Sequence, residues 1–334
     1  MSLSLVDLMA KTVSACFMIA ALLVTNALAA TPNKKVVIIF ADFSERTGLF
    51  FVAKDRRFFE EQGLDADLVQ VRSGPVGISA LAANEAQFYL TSATGASLGA
   101  MAGGLDLVYV AGLINKLDGY FVTSQKIRTP EDLKGKTLGV QSIGGGIWMF
   151  AQMALDYWGL NAERDQIQMR VIGDQSVLVQ ALSTGMIDGG VLGFAFSQVA
   201  QRNGARLLAE LPKLSIPYQG VGLVARRNFV NGSADTVEKM FRAVIRTNQF
   251  IQDKNNQQAV LRSLRKWLRL APNEGEQHLY ERMRLLYDRR ISPTREGIQN
   301  ALRVLSKADA KFSKLKAEDL IDDRIARKLE KEGY

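Results

Sequence analysis

Cysteine and histidine are almost absent from this chain of 334 residues, which contains one of each, Cys16 and His278. Cys16 lies in an apolar N-terminal segment, so the rest of the chain can form neither a disulfide bond nor a cysteine metal site. No second histidine or cysteine can complete a zinc site with His278, and no Gly-Lys-Ser/Thr phosphate loop occurs. His278 lies in a charged, helix-like run, which favours a solvated side chain over a general base. We therefore expect no catalytic residue, no metal ion and no cofactor.

The first 29 residues have the features of a secretory signal peptide. Lys11 precedes an apolar stretch over residues 12–25, and residues 27–29 (ALA) form a small-residue site typical of signal peptidase. The apolar stretch is too short for a permanent membrane anchor. A lipoprotein site at Cys16 is disfavoured because the apolar run follows this cysteine instead of preceding it. The sequence predicts a periplasmic protein that is exported and cleaved near Ala29.

The charge balance is basic, with 42 Lys and Arg against 34 Asp and Glu and a formal net charge of +8. Much of the excess lies in the C-terminal third, where arginines recur at helical spacing. They lack the interleaved aromatic side chains that stack on nucleic-acid bases. We therefore expect no nucleic-acid partner, and a basic surface that can steer small anions toward the protein.

Apolar, β-branched runs alternate with helical patterns along most of the chain. Strands are predicted at residues 36–40, 68–71, 87–90 and 107–111, and one continuous helix at residues 48–62. The alternation is typical of parallel βαβ units, so we expect an α/β protein with mostly parallel sheets flanked by helices. Removal of a 29-residue signal leaves 305 residues, which is enough for two such lobes with separate cores.

Two extended, apolar segments predict crossings between the lobes. Residues 119–122 and 220–224 each begin with glycine and have the pattern of strands. One lobe then comprises residues 30–118 and 222–334, with helices at its C-terminal end, and the other comprises residues 119–221. Two adjacent crossing strands form a hinge about which lobes can close on a ligand.

The segment from residue 130 to residue 150 combines a strand, a glycine-rich turn and the start of a helix. Residues 137–141 form the predicted strand, Ser142 and three glycines follow, and a helix begins near Ile147. Backbone N–H groups at a helix start are unpaired and favour an anion, and glycine lets a ligand approach the backbone. The alternative is that the glycines only make a tight turn between strand and helix.

Three phrases of the sequence carry a resemblance to a known family: residues 58–64 (FFEEQGL), 132–140 (DLKGKTLGV) and 181–188 (ALSTGMID). Together with the order of elements, they resemble the solute-binding proteins of ABC importers. The group concerned is the one related to nitrate, sulfonate, taurine and thiamine-precursor (NMT1/THI5-like) binders. The resemblance implies a two-lobed periplasmic binding protein fold of type II with a two-strand hinge. It also implies a ligand between the lobes, and a membrane permease with its ATPase as partners.

In open parallel sheets, ligands bind beyond the carboxyl ends of the strands, where polar loops and helix starts gather. The residues predicted to bind the solute at this edge are Asp42, Phe43, Ser44, Arg46, Ser73, Ser92, Ala93, Thr94, Ser142, Gly144, Gly145, Gly146, Asp174, Phe194 and Tyr218. Arg46 can clamp a carboxylate or sulfonate, or it can pair with Glu45 at the surface.

Other predicted ligand residues have structural alternatives as well. Asp42 can accept a hydrogen bond from a solute amine or from its own loop, and Asp174 can cap the helix that follows it. Helix capping is also the alternative role of the hydroxyl residues Ser92, Thr94 and Ser142. Core packing is the alternative to sandwiching a flat ligand for the aromatic residues Phe43, Trp148, Phe194 and Tyr218.

The sequence therefore predicts the extracytoplasmic solute-binding component of an ABC transporter. We expect a monomer that captures a small anionic solute, organic or inorganic, by hinge closure. Two alternatives remain: an enzyme similar to the pyrimidine (thiamine-precursor) synthases of the same family, and a ligand sensor for a membrane receptor. Those synthases need histidine and a bound cofactor, so the single His278 and the secretion signal disfavour the enzyme. Transport and sensing use the same closure, and the sequence does not separate them.

Overall fold

The computed structural model describes residues 32–269 and 276–334. The predicted signal peptide, its cleavage site near Ala29 and Cys16 lie outside the described residues. Residues Lys34–Tyr334 form one compact unit. Among the described helices, none is both long and apolar enough to cross a membrane.

The described residues form two five-stranded sheets. The strands in chain order are β1 (Lys34–Phe40), β2 (Leu64–Gln70), β3 (Phe88–Thr91), β4 (Leu107–Gly112), β5 (Tyr120–Thr123), β6 (Thr137–Val140), β7 (Gln168–Val171), β8 (Gly189–Leu192), β9 (Arg206–Glu210) and β10 (Gly222–Arg226). The strand order is β2-β1-β3-β10-β4 in the first sheet and β7-β6-β8-β5-β9 in the second.

Helices flank the strands and make up most of the C-terminal third. The α-helices are α1 (Gly48–Asp55), α2 (Phe58–Glu61), α3 (Gly74–Ala82), α4 (Gly95–Ala102), α5 (Gly146–Tyr157), α6 (Gln175–Ser183), α7 (Phe194–Arg202), α8 (Arg227–Gly232), α9 (Ala234–Gln252), α10 (Gln257–Leu268), α11 (Glu276–Leu286), α12 (Arg295–Ser306) and α13 (Arg324–Lys331). Short 3₁₀ helices cover Glu45–Thr47, Pro130–Leu133, Leu211–Lys213, Lys254–Asn256, Ala310–Lys314 and Ala317–Leu320.

Four strands of each sheet run in the same direction. In the first sheet β1 is parallel to β2 and β3, whereas β10 is antiparallel to β3 and β4. In the second sheet β6 is parallel to β7 and β8, whereas β5 is antiparallel to β8 and β9. The antiparallel strands β5 and β10 are the ones that the sequence places at the crossings. The prediction of two α/β lobes with mostly parallel sheets is confirmed.

The two chain segments that connect the lobes lie side by side. The backbone N–H groups of Leu113 and Ile114 donate to the Val221 carbonyl at 2.8 and 2.9 Å. The Leu211 N–H donates to the Gly119 carbonyl at 2.9 Å. Three backbone hydrogen bonds therefore join residues 113–119 to residues 211–221, the two segments that connect the sheets.

Helix α12 returns from the C-terminal region to pack on the second crossing. A Cβ on Gly297 would lie 2.3 Å from the backbone nitrogen of Gln219, so only glycine permits this approach. Further along α12, Arg303 Nη2 donates to Asp156 Oδ2 of helix α5 at 2.6 Å. Lys307 forms an ion pair with the same carboxylate. Helix α12 thus links the C-terminal region to the second lobe.

The prediction of one continuous helix over residues 48–62 is wrong, because the structure has two helices there. Helix α1 ends at Asp55 and α2 covers Phe58–Glu61, because Arg57 between them adopts a left-handed conformation with a φ of 61°. Gly63, with a φ of 71°, follows α2 and turns the chain into β2.

Strand β2 starts at Leu64, earlier than its apolar run indicates. It is an edge strand in which buried Leu64 and Ala66 alternate with outward-facing aspartates.

The sequence pattern does not predict β7 and β9 for a related reason. Both are edge strands of the second sheet and are only partly buried, so they lack the continuous apolar run of a central strand.

Aromatic packing fixes the chain just before helix α1. The Phe51 ring in α1 stacks on the Trp267 ring of α10, with centroids 4.9 Å apart and planes 3° from parallel. Phe40, at the end of β1, meets the same Phe51 ring edge-on at 5.8 Å. Each fully buried ring of this size stabilises the fold by roughly 1.5–3 kcal/mol. These ring contacts therefore stabilise the end of β1 against α1 and α10.

Candidate functional site

A cavity of about 470 Å³ lies between the two lobes. The first lobe lines it with the loops that follow β1, β2 and β3, and the second lobe lines it with the loops that follow β6 and β7. These are the carboxyl ends of parallel strands, where ligands of α/β proteins bind.

Most of the predicted ligand residues meet at this cavity. Those that line it are Asp42, Phe43, Arg46, Ser73, Ser92, Thr94, Ser142, Gly145, Gly146 and Asp174. The predicted residues outside its lining are Ser44, Ala93, Gly144, Phe194 and Tyr218. A ligand role for each of them stays a prediction.

The residues outside the lining have structural partners instead. Ser44 caps the Glu45–Thr47 turn, where its Oγ accepts from the Arg46 N–H at 3.2 Å. Tyr218 is completely buried and its hydroxyl donates to the Ala93 carbonyl at 3.1 Å. Burial raises the pKa of this phenol, so it stays neutral.

Arg46 lines the cavity between two carboxylates. Its Nη1 donates to Asp42 Oδ2 at 3.2 Å, and its Nη2 donates to Ser92 Oγ at 3.2 Å. Its Nε lies 3.1 Å from Asp118 Oδ2, an ion pair without hydrogen-bond geometry. The guanidinium also lies over the Phe150 ring of the second lobe, 4.9 Å from the centroid.

The surroundings of Arg46 fix its charge and compensate it. Burial alone would lower the pKa of Arg46, but the carboxylates of Asp118 and Asp42 raise it above the ordinary arginine value. A surface pair between Arg46 and Glu45, the alternative raised by the sequence, is wrong because the Arg46 side chain is only 9% exposed and pairs elsewhere. With two carboxylates around it, Arg46 has little net charge to offer a solute.

Two helices that begin at the cavity have side-chain caps. Thr94 and Ser97 form a reciprocal capping box at the start of α4. Asp174 Oδ1 accepts from the N–H groups of Ser176 and Val177 at 3.0 and 3.1 Å at the start of α6. A hydrogen bond from the Ser176 hydroxyl lowers the pKa of Asp174, which is therefore ionised at neutral pH. For Thr94 and Asp174 the capping alternative is correct.

Two other helices begin at the cavity without a cap. Within the described chain, no side chain accepts from the first N–H groups of α3 or α5, whose N-cap residues are Ser73 and Gly145. Such N–H groups carry the positive end of the helix dipole. The starts of α3 and α5 can therefore receive an anion from opposite lobes.

The glycine-rich turn before α5 both bends the chain and lines the cavity. Gly144 has a φ of 76°, which favours glycine, and its carbonyl accepts from the Ala96 N–H of the first lobe at 3.1 Å. Gly145 and Gly146 line the cavity. The tight-turn interpretation therefore applies to Gly144, and exposure of the backbone to the cavity applies to Gly145 and Gly146. Gly144 also forms a hydrogen bond between the lobes.

Several cavity residues are absent from the predicted set, and Arg72 is the most informative. Arg72 follows β2, is exposed at the cavity and forms no ion pair with any residue that the structure describes. Its position next to Ser73, an N-cap at the carboxyl end of a strand, is the signal that could have identified it. Tyr89 and Phe196 supply aromatic surface, and burial raises the pKa of Tyr89 to about 12.

A sequence comparison identifies the relationship of this chain. The model of one protein family, described as NMT1/THI5 like, matches residues 45–258, more than half of the chain. The chain belongs to the NMT1/THI5-like family. The sequence prediction of this family is confirmed. No curated protein sequence matches the chain significantly.

Solved structures share the fold of this NMT1/THI5-like protein. The periplasmic aliphatic sulphonate binding protein SsuA from Escherichia coli has a TM-score of 0.70 and 16% identity, covering 87% of this chain and 92% of that one. The alkanesulfonate-binding protein SsuA from Xanthomonas axonopodis pv. citri, bound to MOPS, has a TM-score of 0.66 and 19% identity, covering 88% and 96%. The periplasmic nitrate-binding protein NrtA from Synechocystis PCC 6803 has a TM-score of 0.67 and 10% identity, covering 90% and 89%.

At these identities the structural likeness establishes the fold of the NMT1/THI5-like protein and leaves its ligand open. The neighbours share its two lobes, each with a mixed sheet flanked by helices. The predicted two-lobed periplasmic binding protein fold is confirmed.

Proposed function

We propose that this protein is the extracytoplasmic solute-binding component of an ABC importer. It captures a small organic anion between its lobes and delivers the anion to a membrane permease with its ATPase. The observation that carries the proposal is the cavity between the lobes, bordered by two uncapped helix starts and by the guanidinium of Arg72, which has no ion-pair partner in the part of the chain that the structure describes. The periplasmic sulfonate- and nitrate-binding proteins of the same fold support it.

The electrostatics of the cavity favour an anionic group. The start of α5 presents unpaired N–H groups with the partial positive charge of a helix dipole, and the start of α3 presents fewer, because its second residue, Pro75, has no N–H. Arg72 lies directly before α3 and adds a full positive charge without a counter-charge among the described residues. The other charged groups of the lining, Arg46, Asp42 and Asp174, are already paired or capping.

The size of the cavity favours an organic solute over an inorganic anion. Since liquid water occupies roughly 30 Å³ per molecule, a cavity of this volume holds about fifteen waters. A nitrate-sized ion would leave most of that space to solvent. Phe43, Tyr89, Leu90 and Phe196 line the cavity with apolar surface, which suits the body of a sulfonate or carboxylate whose charged end lies at the helix starts.

Closure about the crossings is the proposed capture step. Residues 30–118 with 222–334 move as one lobe and residues 119–221 as the other. The side-by-side crossing segments support this division, as does the contact of Gly144 with Ala96 across the cavity. Separation of the lobes breaks that contact and opens the cavity to solvent.

The proposal includes export and no catalytic step. The N-terminal signal-like segment and the periplasmic neighbours support a periplasmic location. His278 is exposed on α11 and does not line the cavity. Binding and release therefore account for the function that we propose.

A thermal-shift screen tests the proposed ligand class. Purified protein is heated with sulfonates, carboxylates, nitrate and pyrimidines, each over a range of concentrations. A ligand that binds only the folded state stabilises it by about 2.7 kcal/mol at 100 times its Kd, so true ligands raise the Tm in proportion to log concentration. We expect organic sulfonates or carboxylates to do so. Stabilisation by neutral or cationic solutes alone would refute the anion proposal.

An uptake assay separates transport from sensing. The best ligand of the screen is supplied in labelled form to cells with and without the gene for the protein, and with and without the permease. Loss of uptake in both deletions supports import. Normal uptake in both deletions, combined with tight binding in vitro, would contradict the import role.

A further inference from the structure

The short turn Glu45–Thr47 of the first lobe reaches into the second lobe with a buried carboxylate. Glu45 Oε1 accepts from the backbone N–H of Phe194, the first residue of α7, at 2.9 Å. Glu45 is only 2% exposed although it belongs to a polar loop. A carboxylate in such a position requires a partner, and its hydrogen-bond partner belongs to the other lobe.

The first lobe holds the Glu45 backbone in place by itself. Ser44 caps the turn. The Tyr287 hydroxyl lies 2.9 Å from the Glu45 carbonyl and 3.1 Å from the Arg46 carbonyl, and it accepts from the Leu49 N–H at 3.0 Å. All of these contacts lie within the first lobe and hold the backbone of the turn, so the backbone that carries the Glu45 side chain keeps its place when the second lobe moves away.

The second lobe presents a complementary surface. Gly193, the residue before α7, donates its N–H to Gln175 Oε1 at 2.7 Å. The next N–H, that of Phe194, is left for Glu45. Because these N–H groups carry the positive end of the α7 dipole, a carboxylate is a favourable partner. Glu45 and Gln175 therefore occupy the start of α7, in contrast to the open starts of α3 and α5.

We propose that Glu45 is a lobe-closing residue, whose backbone is held by the first lobe and whose carboxylate binds the start of α7 in the second lobe only when the lobes meet. It thereby raises the fraction of closed protein and the affinity for any solute bound between the lobes. This inference rests on the proposed function in one respect, namely that the lobes move.

The energetic reason is the cost of leaving either partner alone in the closed form. Burial raises the pKa of the Glu45 carboxyl above its ordinary value, which shows that the site disfavours the charge unless donors compensate it. The backbone N–H of Glu45 itself is the largest influence against this rise, Asp42 adds to it, and Arg282 and the Phe194 N–H oppose it further. Without the carboxylate, the Phe194 N–H would in turn have no acceptor from the first lobe.

Single-molecule energy transfer between dyes on the two lobes measures the closed fraction directly. The full chain carries Cys16→Ala, which removes its only cysteine, and cysteines replace the exposed residues Ser79 on α3 and Gln180 on α6. No solute is added, so the result does not depend on the identity of the ligand. Failure of the ligand screen, which tests the proposed function, and failure of the energy-transfer experiment, which tests Glu45, are thus separate outcomes.

We expect Glu45→Ala to lower the ratio of closed to open protein by about tenfold, because the Phe194 N–H loses its acceptor from the first lobe. Glu45→Gln, which keeps an acceptor oxygen, should stay within about threefold of the wild-type ratio. Glu61→Ala, at an exposed glutamate of α2 in the same lobe, is the matched control and should change nothing. An unchanged or higher closed fraction in Glu45→Ala would overturn the proposal.

A second pair of variants removes the donor instead of the acceptor. Phe194 is the first residue of α7, where proline is tolerated and supplies no N–H. Phe194→Pro should reproduce the loss seen in Glu45→Ala, whereas Phe194→Ala, which loses only the ring, should keep more of the closed fraction. In the Phe194→Pro background, Glu45→Ala should have no further effect. A full additional loss there would assign the effect to something other than this hydrogen bond and would overturn the proposal. If Glu45→Ala fails to fold, the comparison of Phe194→Pro with Phe194→Ala tests the proposal instead. Equal closed fractions in these two variants would then overturn it.

Discussion

Replacement of Gly146 by aspartate tests whether the start of α5 receives an anion. Gly146 is the first residue of α5 and lines the cavity, and a Cβ added to it meets nothing within 4 Å. Its φ lies outside the left-handed region, so a side chain causes no backbone strain. Gly145 is less suitable because a Cβ there would lie 2.5 Å from Ser142 Oγ. Gly146→Asp thus adds a carboxylate without a steric clash.

Two opposite effects are expected from Gly146→Asp. The carboxylate takes the helix N–H groups and should stabilise the ligand-free fold by about 0.3–1 kcal/mol. The same charge should repel an anionic solute. Two like charges at 4 Å interact by about 4 kcal/mol at an effective dielectric constant near 20, and partial solvation lowers this to about 2–4 kcal/mol. Affinity for the anion should therefore fall about 30- to 700-fold.

Calorimetric titration with the anion that gives the largest thermal shift measures the affinity, and thermal unfolding without solute measures the stability. Gly146→Ala adds the same Cβ without charge, and Gly146→Asn adds a neutral side chain of nearly the same shape. Both should retain affinity within about tenfold. Unchanged binding by Gly146→Asp, or an equally large loss in Gly146→Asn, would refute an electrostatic role for this helix start.

Three further predictions concern charged residues of the site. Arg72→Ala should change the free energy of unfolding by less than about 0.5 kcal/mol but weaken anion binding about tenfold in calorimetry, and unchanged binding would remove Arg72 from the site. Arg46→Met should lower the unfolding free energy in urea by about 3 kcal/mol because it removes the guanidinium from Asp42 and from buried Asp118, which keeps only its longer ion pair with Arg282, and a loss under about 1 kcal/mol would contradict this. Asp174→Ala should lose about 1 kcal/mol of stability with its helix cap. Since hydrogen bonds from Ser176 and Val177 lower the pKa of Asp174, its contribution exists above the ordinary pKa near 4 and disappears as pH falls through the lowered value. The Tm difference between wild type and Asp174→Ala should therefore shrink between pH 7 and pH 3, and a constant difference would argue against this origin.

The fold could be predicted from the sequence because its signals are local. A buried central strand such as β1 needs an unbroken apolar run, and a helix start needs a cap or a glycine-rich turn, and both are visible in neighbouring residues. The edge strands β7 and β9 were not predicted because one side of each is solvated and their apolar pattern is weak. The helix break at Arg57 was not predicted because no neighbouring residue requires a left-handed backbone conformation there.

The site could be predicted only in outline. Loops at the carboxyl ends of strands identified the region, and most of the chosen residues do line the cavity. The partners of Arg46 could not be predicted, because Asp118 lies after β4, far from Arg46 in the sequence, and meets Arg46 only in the folded protein. Glu45 likewise contacts Phe194, which lies 149 positions away in the sequence. Such pairings depend on the tertiary arrangement, and no local pattern encodes them.

The position of β10 determines when the first lobe can finish folding. This strand pairs with β3 and β4 on its two sides, yet it follows the whole second lobe in the chain. Until residue 226 is available, β3 and β4 each have an open hydrogen-bonding edge, and such edges promote association between chains. Pairing at this sequence separation is also slow. A chain truncated before Gly222 should therefore accumulate as aggregates, even though it contains four of the five strands of that sheet.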